Sequence, residues 1–133
     1  MKVHHIGYLV DDMAEAVKEF ARLGYSVQKP ELYDPLRRIN LCFVENDGIC
    51  VELVEPAEGC KLFTKLHKRI GNAPYHIGYI TDGGGGGQDK LLTTLCDEGY
   101  MLVQPPEPAT AFGEKRVAFL MNEAIGLIEI IES

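Results

Sequence analysis

The chain has 133 residues, 46% of them hydrophobic and 25% charged, and carries a formal net charge of −7. That length suits one compact domain with a working core. The acidic balance argues against recognition of a phosphate backbone, which needs clustered positive charge, so no nucleic-acid partner is expected. No apolar run approaches the ~20 residues of a membrane helix, and the opening MKVHHIGYLV is too short and too polar for a signal peptide. Four cysteines, Cys42, Cys50, Cys60 and Cys96, form no C-x-x-C pair. Cys42 and Cys50 lie in apolar strand-like runs and read as small buried hydrophobes. A reduced, cytoplasmic setting is the expectation.

Taken in chain order, residues 3–10 alternate in polarity and are rich in β-formers, which predicts a strand. Asp11 or Asp12 then caps a helix running to about Leu23, with Ala14, Val17, Phe20 and Ala21 at helical spacing. Gly24 stops it. Strands are predicted near 25–28, 38–45 and 49–55, the last two joined by the hairpin signal Asn46-Asp47-Gly48. Residues 58–70 carry Leu62, Phe63, Leu66 and Ile70 at helical spacing and read as a short linking helix. A strand at 75–81, a helix at about 88–98 and strands near 100–104, 115–121 and 126–132 follow. The run Gly83 to Gly87 precedes that helix. Glycine costs ~1 kcal/mol per residue in a helix, so the run reads as a flexible loop. No G-x-x-x-x-G-K-[ST] pattern follows to make it a phosphate cradle.

The order is therefore β-α-β-β-β twice, and the residues themselves repeat. His5-Ile6-Gly7-Tyr8 recurs as His76-Ile77-Gly78-Tyr79, an offset of 76 − 5 = 71. Gly24-Tyr25 recurs as Gly99-Tyr100, an offset of 75, and the glycine run accounts for the four extra residues. Residues 38–55 and 116–132 match in turn: an Arg, an apolar strand, a polar turn near a Gly, then an apolar strand broken by one Glu. Those carboxylates are Glu52 and Glu129, an offset of 77. Two copies of a module that cannot close its own core predict a paired structure with a pseudo-twofold axis, an α+β fold. The expected division is module 1 at about 1–57, the linking helix at about 58–70 and module 2 at about 74–133, in a single domain.

The repeat places ionisable groups on apolar strand faces. Glu52 shares a face with Cys50 and Val54, Glu129 with Leu127 and Ile131, His5 with Val3 and Gly7, and His76 with Gly78 and Ile80. A lone strand histidine is more often a satisfied core residue, and a lone glutamate an outward one. One His and one Glu at equivalent places in both repeats make a constellation instead. Unpaired buried carboxylates are costly, and a cation removes the cost. Two imidazoles and two carboxylates suit Zn, Ni, Co, Fe or Mn. The glycine two residues after each His leaves that face open. His4 should point away from His5, and His67 should be a solvated helix residue.

At this point HHIGYLVDDMAEAVKEFARLGY, ICVELVEP, PYHIGYITD and GEKRVAFLMNEAIGLIEIIE resemble the vicinal oxygen chelate superfamily over essentially the whole chain. That superfamily includes glyoxalase I, methylmalonyl-CoA epimerase, extradiol dioxygenases and antibiotic-resistance proteins. The resemblance implies paired βαβββ modules of the glyoxalase/bleomycin-resistance type around one divalent metal (Ni, Zn, Co or Mn). Its ligands would come from the first and last strand of each module: His5 and Glu52, His76 and Glu129. It also implies a small-molecule substrate, a thiohemiacetal or an acyl thioester, and a homodimer. GEKRVAFL looks like the epimerases. Glu at position 52 matches glyoxalase I, since some epimerases have Gln there. The shared chemistry is removal of a proton next to a carbonyl, with the metal stabilising the enediolate or enolate. Glu129 would be the base and Glu52 its partner. An extradiol-type dioxygenase is the first alternative, but it needs two His and one carboxylate with open positions. A non-catalytic drug-binding protein is the second, and such relatives generally lack the ligands.

Overall fold

A computed structural model describes residues 1–83 and 86–133; residues 84–85 of the glycine run lie outside the described residues. In chain order the elements are β1 (Lys2–Leu9), α1 (Met13–Arg22), β2 (Ser26–Asp34), β3 (Ile39–Asn46), β4 (Ile49–Pro56), α2 (Lys61–Ile70) and β5 (Ala73–Ile80). They continue with α3 (Gly87–Asp97), β6 (Met101–Pro108), a short 3-10 turn (Thr110–Phe112), β7 (Arg116–Asn122) and β8 (Gly126–Ile131). This is the α+β arrangement read from the sequence, βαβββ twice with α2 in between. Two compact units result: His5–Tyr75, and His76–Ser133 together with Met1–His4.

In the first unit the strand order is β2-β3-β4-β1. β2, β3 and β4 run antiparallel, and β1 lies parallel to β4. The Asp12 carboxylate accepts a hydrogen bond from the Glu15 backbone N–H (3.1 Å) and so starts α1. The Met13 N–H donates to Glu55 on β4 (2.7 Å), which fixes the helix against the sheet. Alternation along the strands decides which face α1 covers. Cys42, Val44, Val51 and Leu53 point to it and form a core with Val10 and Met13, flanked by Tyr8, Val17, Phe20 and Tyr25. Full burial of a side chain such as Leu53 stabilises the fold by about 1.5–3 kcal/mol. Phe20 packs edge-on to Tyr8 (5.2 Å) and to Tyr25 (5.0 Å). The β3–β4 turn closes through Asp47 (φ 51°) and Gly48 (φ 79°), two successive left-handed residues that match the twist of a tight hairpin.

The second unit repeats the scheme with the order β5-β8-β7-β6, β5 being parallel to β8. α3 covers Ala118, Leu120, Ile128 and Ile130 through Leu92, with Leu91 and Leu95 beside it. No side chain caps α3. Buried Gln88, in its first turn, instead donates through Nε2 to the carbonyls of Arg116 and Ile130, both at 3.0 Å. Thus a side-chain amide ties the helix start to two strands where α1 uses an aspartate.

Two elements are longer than the sequence predicts. β2 extends to Asp34 through Lys29, Pro30 and Glu31, and β6 to Pro108 through Pro105 and Pro106. Both are the outermost strands of their four, where a missing N–H costs no ladder bond, and both carry register irregularities at these residues. Cys42, Cys50 and Cys60 are buried and Cys96 is exposed, all as free thiols. No described helix is long and apolar enough to cross a membrane.

At the start of β7, Arg116 bonds Glu132 (3.1 Å) and Asp89 (3.3 Å). The guanidinium holds the Glu132 carboxyl below its usual value of 4.5. A carboxyl lowered on folding stabilises the native state above its ordinary pKa, and that contribution disappears as pH falls through the lowered value. The melting temperature should therefore drop more steeply below pH 4.5 in the wild type than in Arg116→Leu. Parallel thermal scans from pH 6 to pH 3 check this, and superimposable curves would refute it.

Candidate metal centre

Within its own unit α1 or α3 covers one face of the strands; the four predicted donors lie on the other. In the first unit, Glu52 is the one carboxylate among Cys50, Val51, Leu53 and Val54, and all five residues are buried. Its strand partners are Gly7 on β1 and Phe43 on β3. Directly paired residues share a face, and His5 stands two residues before Gly7, on that same face. His5 Nε2 lies 3.9 Å from Glu52 Oε1, with side-chain exposures of 0% and 6%. The Phe43 ring meets the His5 imidazole edge-on (5.7 Å, 90°).

The second unit builds the same motif. Glu129 pairs with Gly78 on β5 and with Phe119 on β7. His76 Nε2 lies 3.1 Å from Glu129 Oε2, both side chains at 5% exposure or less. The Phe119 ring meets His76 edge-on (5.3 Å, 90°). Each half therefore has an imidazole, a glycine opposite a glutamate, and a phenylalanine walling the imidazole. The glycine leaves the position opposite the glutamate, two residues from the histidine, without a side chain.

Phe43 and Phe119 are the residues that sequence reasoning missed. Alone they look like ordinary core. Their signal is the repeat combined with register: Phe43 precedes Glu52 by nine residues, and Phe119 precedes Glu129 by ten, the extra one lying in the longer β7–β8 turn. In that turn the Ala124 N–H bonds the Asn122 side chain (2.9 Å) and Gly126 has φ 80°.

The two unrepeated histidines are accounted for. His4 packs edge-on to Phe112 (5.3 Å). His67 is not simply solvated as predicted: it is partly buried, and its Nε2 sits 2.7 Å from Asn72 Oδ1. On the Glu52 face, Cys50 bonds Gln28 (3.2 Å). Burial, reinforced by the charges of Glu52 and Glu45 and opposed by Lys29, pushes its thiol up to about 11. Lys29, the strand partner of Phe43, places its ammonium 5.5 Å from the centre of that ring.

Among the described residues His5, Glu52, His76 and Glu129 are a buried group able to hold a metal ion, each offering one ligand atom. The donors suit such an ion. With bonds of ~2.1 Å, neighbouring ligand atoms on one ion lie ~3.0–3.4 Å apart and at most ~4.2 Å apart. The 3.1 Å pair falls in the first range and the 3.9 Å pair within the second. Imidazole nitrogen with carboxylate oxygen is donor chemistry that Zn, Ni, Co and Mn accept, and no thiolate is among the four.

The fold and this site define a class. Residues 4–119 match the family model of the Glyoxalase/Bleomycin resistance protein/Dioxygenase superfamily, and the chain belongs to that superfamily. A hypothetical protein from Bacillus halodurans shares the fold with a TM-score of 0.83 at 20% identity, over 99% of this chain and 94% of that one. Methylmalonyl-CoA epimerase from Mycobacterium tuberculosis matches with a TM-score of 0.80 at 19% identity, over 98% and 87%. A variant of the Streptomyces coelicolor methylmalonyl-CoA epimerase, in complex with 2-nitronate-propionyl-CoA, matches with 0.79 at 20% identity, over 100% and 97%. No curated protein matches the chain by sequence.

Proposed function

We propose that His5, Glu52, His76 and Glu129 hold one divalent metal and that the protein is a proton-transferring enzyme acting next to a carbonyl, a lyase or isomerase of the glyoxalase I or methylmalonyl-CoA epimerase kind. The observation that carries this reading is the repeated half-site: the same buried His–Glu pair, on the sheet face away from the helix, once in each module. Membership of the superfamily and the likeness of fold to the epimerases support it.

When bound, a divalent ion supplies Lewis-acid stabilisation of negative charge on oxygen, worth several kcal/mol. The chain's own residues do the rest. Glu129 takes the proton from the carbon next to the carbonyl and returns it, to the neighbouring carbon in an isomerisation or to the opposite face in an epimerisation. Glu52, its counterpart in the other module, is the second carboxylate of a two-base exchange. His5 and His76 are held edge-on by Phe43 and Phe119, which fixes ring orientation. The apolar walls keep water from competing for the proton.

One shared ion and two separate half-sites differ in stoichiometry. Elemental analysis of protein incubated with Ni, Co, Zn or Mn and freed of excess should give about one metal per chain. No bound metal under any of these conditions would remove the reading, and two per chain would assign an ion to each half-site.

A further inference from the structure

At the donors the two modules agree; one position along the strands they do not. Beside His76, a row of directly paired residues crosses the second module: Leu127 on β8, Met121 on β7 and Met101 on β6. Leu127 stands two residues before Glu129 and Met121 two after Phe119, so the row lies on the donor face. None of the three is buried, and Met121 and Met101 are 37% and 66% exposed. The matching residues of the first module are Cys50, two before Glu52, Glu45, two after Phe43, and Ser26, which follows Gly24-Tyr25 as Met101 follows Gly99-Tyr100. They are paired in a row as well. That row is polar: Cys50 bonds Gln28 (3.2 Å), and Glu45 accepts from the Gly48 N–H (2.8 Å). The repeat thus keeps the donors and the phenylalanine walls and turns this row from polar to apolar. An apolar row left in water forgoes the stabilisation that burial brings, and an apolar group laid across it restores that.

We propose that the Leu127–Met121–Met101 row is the subsite for an apolar substituent larger than a methyl group, an aryl or branched alkyl arm on the reacting end of the substrate. The inference rests on the metal and proton-transfer reading and narrows it to substrates that carry such an arm. Continuity with the centre assigns the occupant. The row starts at Leu127, the strand partner of His76. Neighbouring strands lie ~4.8 Å apart, so Leu127, Met121 and Met101 stand ~5, ~10 and ~14 Å from His76 across the sheet. A methyl group held at the centre reaches no further than the first of these, whereas a ring on a short arm reaches the methionines. Methionine suits the task, because its unbranched, polarisable side chain moulds to rings and chains of different shape.

The probes are two metal-chelating hydroxamates, acetohydroxamate with a methyl group and 3-phenylpropanohydroxamate with a phenyl arm, titrated calorimetrically into the metal-loaded full chain. Wild type should bind the phenyl compound about tenfold or more tightly. Met101→Gln/Met121→Gln should erase most of that preference and leave metal content, melting temperature and acetohydroxamate affinity unchanged. The chain has four methionines, so magnetic resonance of isotope-labelled methionine methyl groups locates the ring. The Met101 and Met121 signals should move with the phenyl compound, and those of Met1 and of Met13, packed in the core of the first unit, should not. Equal affinity for the two probes, no binding of either, an undiminished preference in the variant, or unmoved Met101 and Met121 signals would each overturn the proposal. Signals that shift with protein concentration instead of with probe would overturn it too, and would give this face to a second copy of the chain. Chelation needs no turnover, so the two readings fail separately. An inactive, metal-loaded protein with the phenyl preference loses the enzyme reading and keeps the subsite. An active one without the preference loses the subsite alone.

Discussion

Glu129→Gln should leave the fold and substrate affinity nearly intact and lower kcat by about 10²–10⁴-fold, the usual contribution of a positioned general base. Glutamine keeps the shape of a side chain that is 4% exposed and can still accept a bond at the 3.1 Å separation from His76 Nε2. What it cannot do at neutral pH is take a proton. Rates should be measured with methylmalonyl-CoA and with the methylglyoxal–glutathione thiohemiacetal. Exchange of solvent deuterium into the carbon next to the carbonyl should be followed in parallel and should fall with kcat. A variant as fast as wild type would transfer the base role to Glu52. Wild-type rates equal to buffer on both substrates, with metal present, would remove the enzyme assignment to these two branches and leave the fold untouched.

His76→Ala should cost metal retention about 100-fold or more, since loss of a mere supporting contact already costs ~10–100-fold, and activity should be lost with it. The imidazole is fully enclosed, so no water-exposed group readily takes its place. Removing the partner of a buried carboxylate also costs about 1–3 kcal/mol, so a lower melting temperature is expected as well. Metal content is therefore read far below the transition, beside His4→Ala as a control. His4 is the neighbour of His5 along β1 and packs on Phe112, and its removal should leave metal content at the wild-type level. A His76→Ala protein that keeps its full metal content would take His76 out of the ligand set.

Much of this was legible because the chain states its plan twice. The two His-Ile-Gly-Tyr segments and the two strands broken by one Glu point to the same elements in both halves, and periodicity places α1, β3, β4, β7 and β8 to within a residue or two. The edge strands were not legible. Pro30 in β2 and Pro105 and Pro106 in β6 signal a break in any local reading. Only their outermost place in the sheet, with an irregular register, lets the strands continue through them. The phenylalanine walls were hidden for a different reason: Phe43 and Phe119 acquire a role only from which residue lies beside them on the next strand.

The pairing of Gly7 with Glu52 and of Gly78 with Glu129 has a consequence for how such a protein can change. A strand shifted by one position turns all its side chains over. Insertion of a single residue within β4 or β8, between the turn and the glutamate, would then send the carboxylate toward the helix and an aliphatic neighbour into its place. The chemistry is thus inherited as a count of residues between turn and glutamate as much as by the glutamate itself. Variation in length falls in turns and connections: the β7–β8 turn has one residue more than the β3–β4 turn, and the stretch before α3 has four more than its counterpart in the first copy.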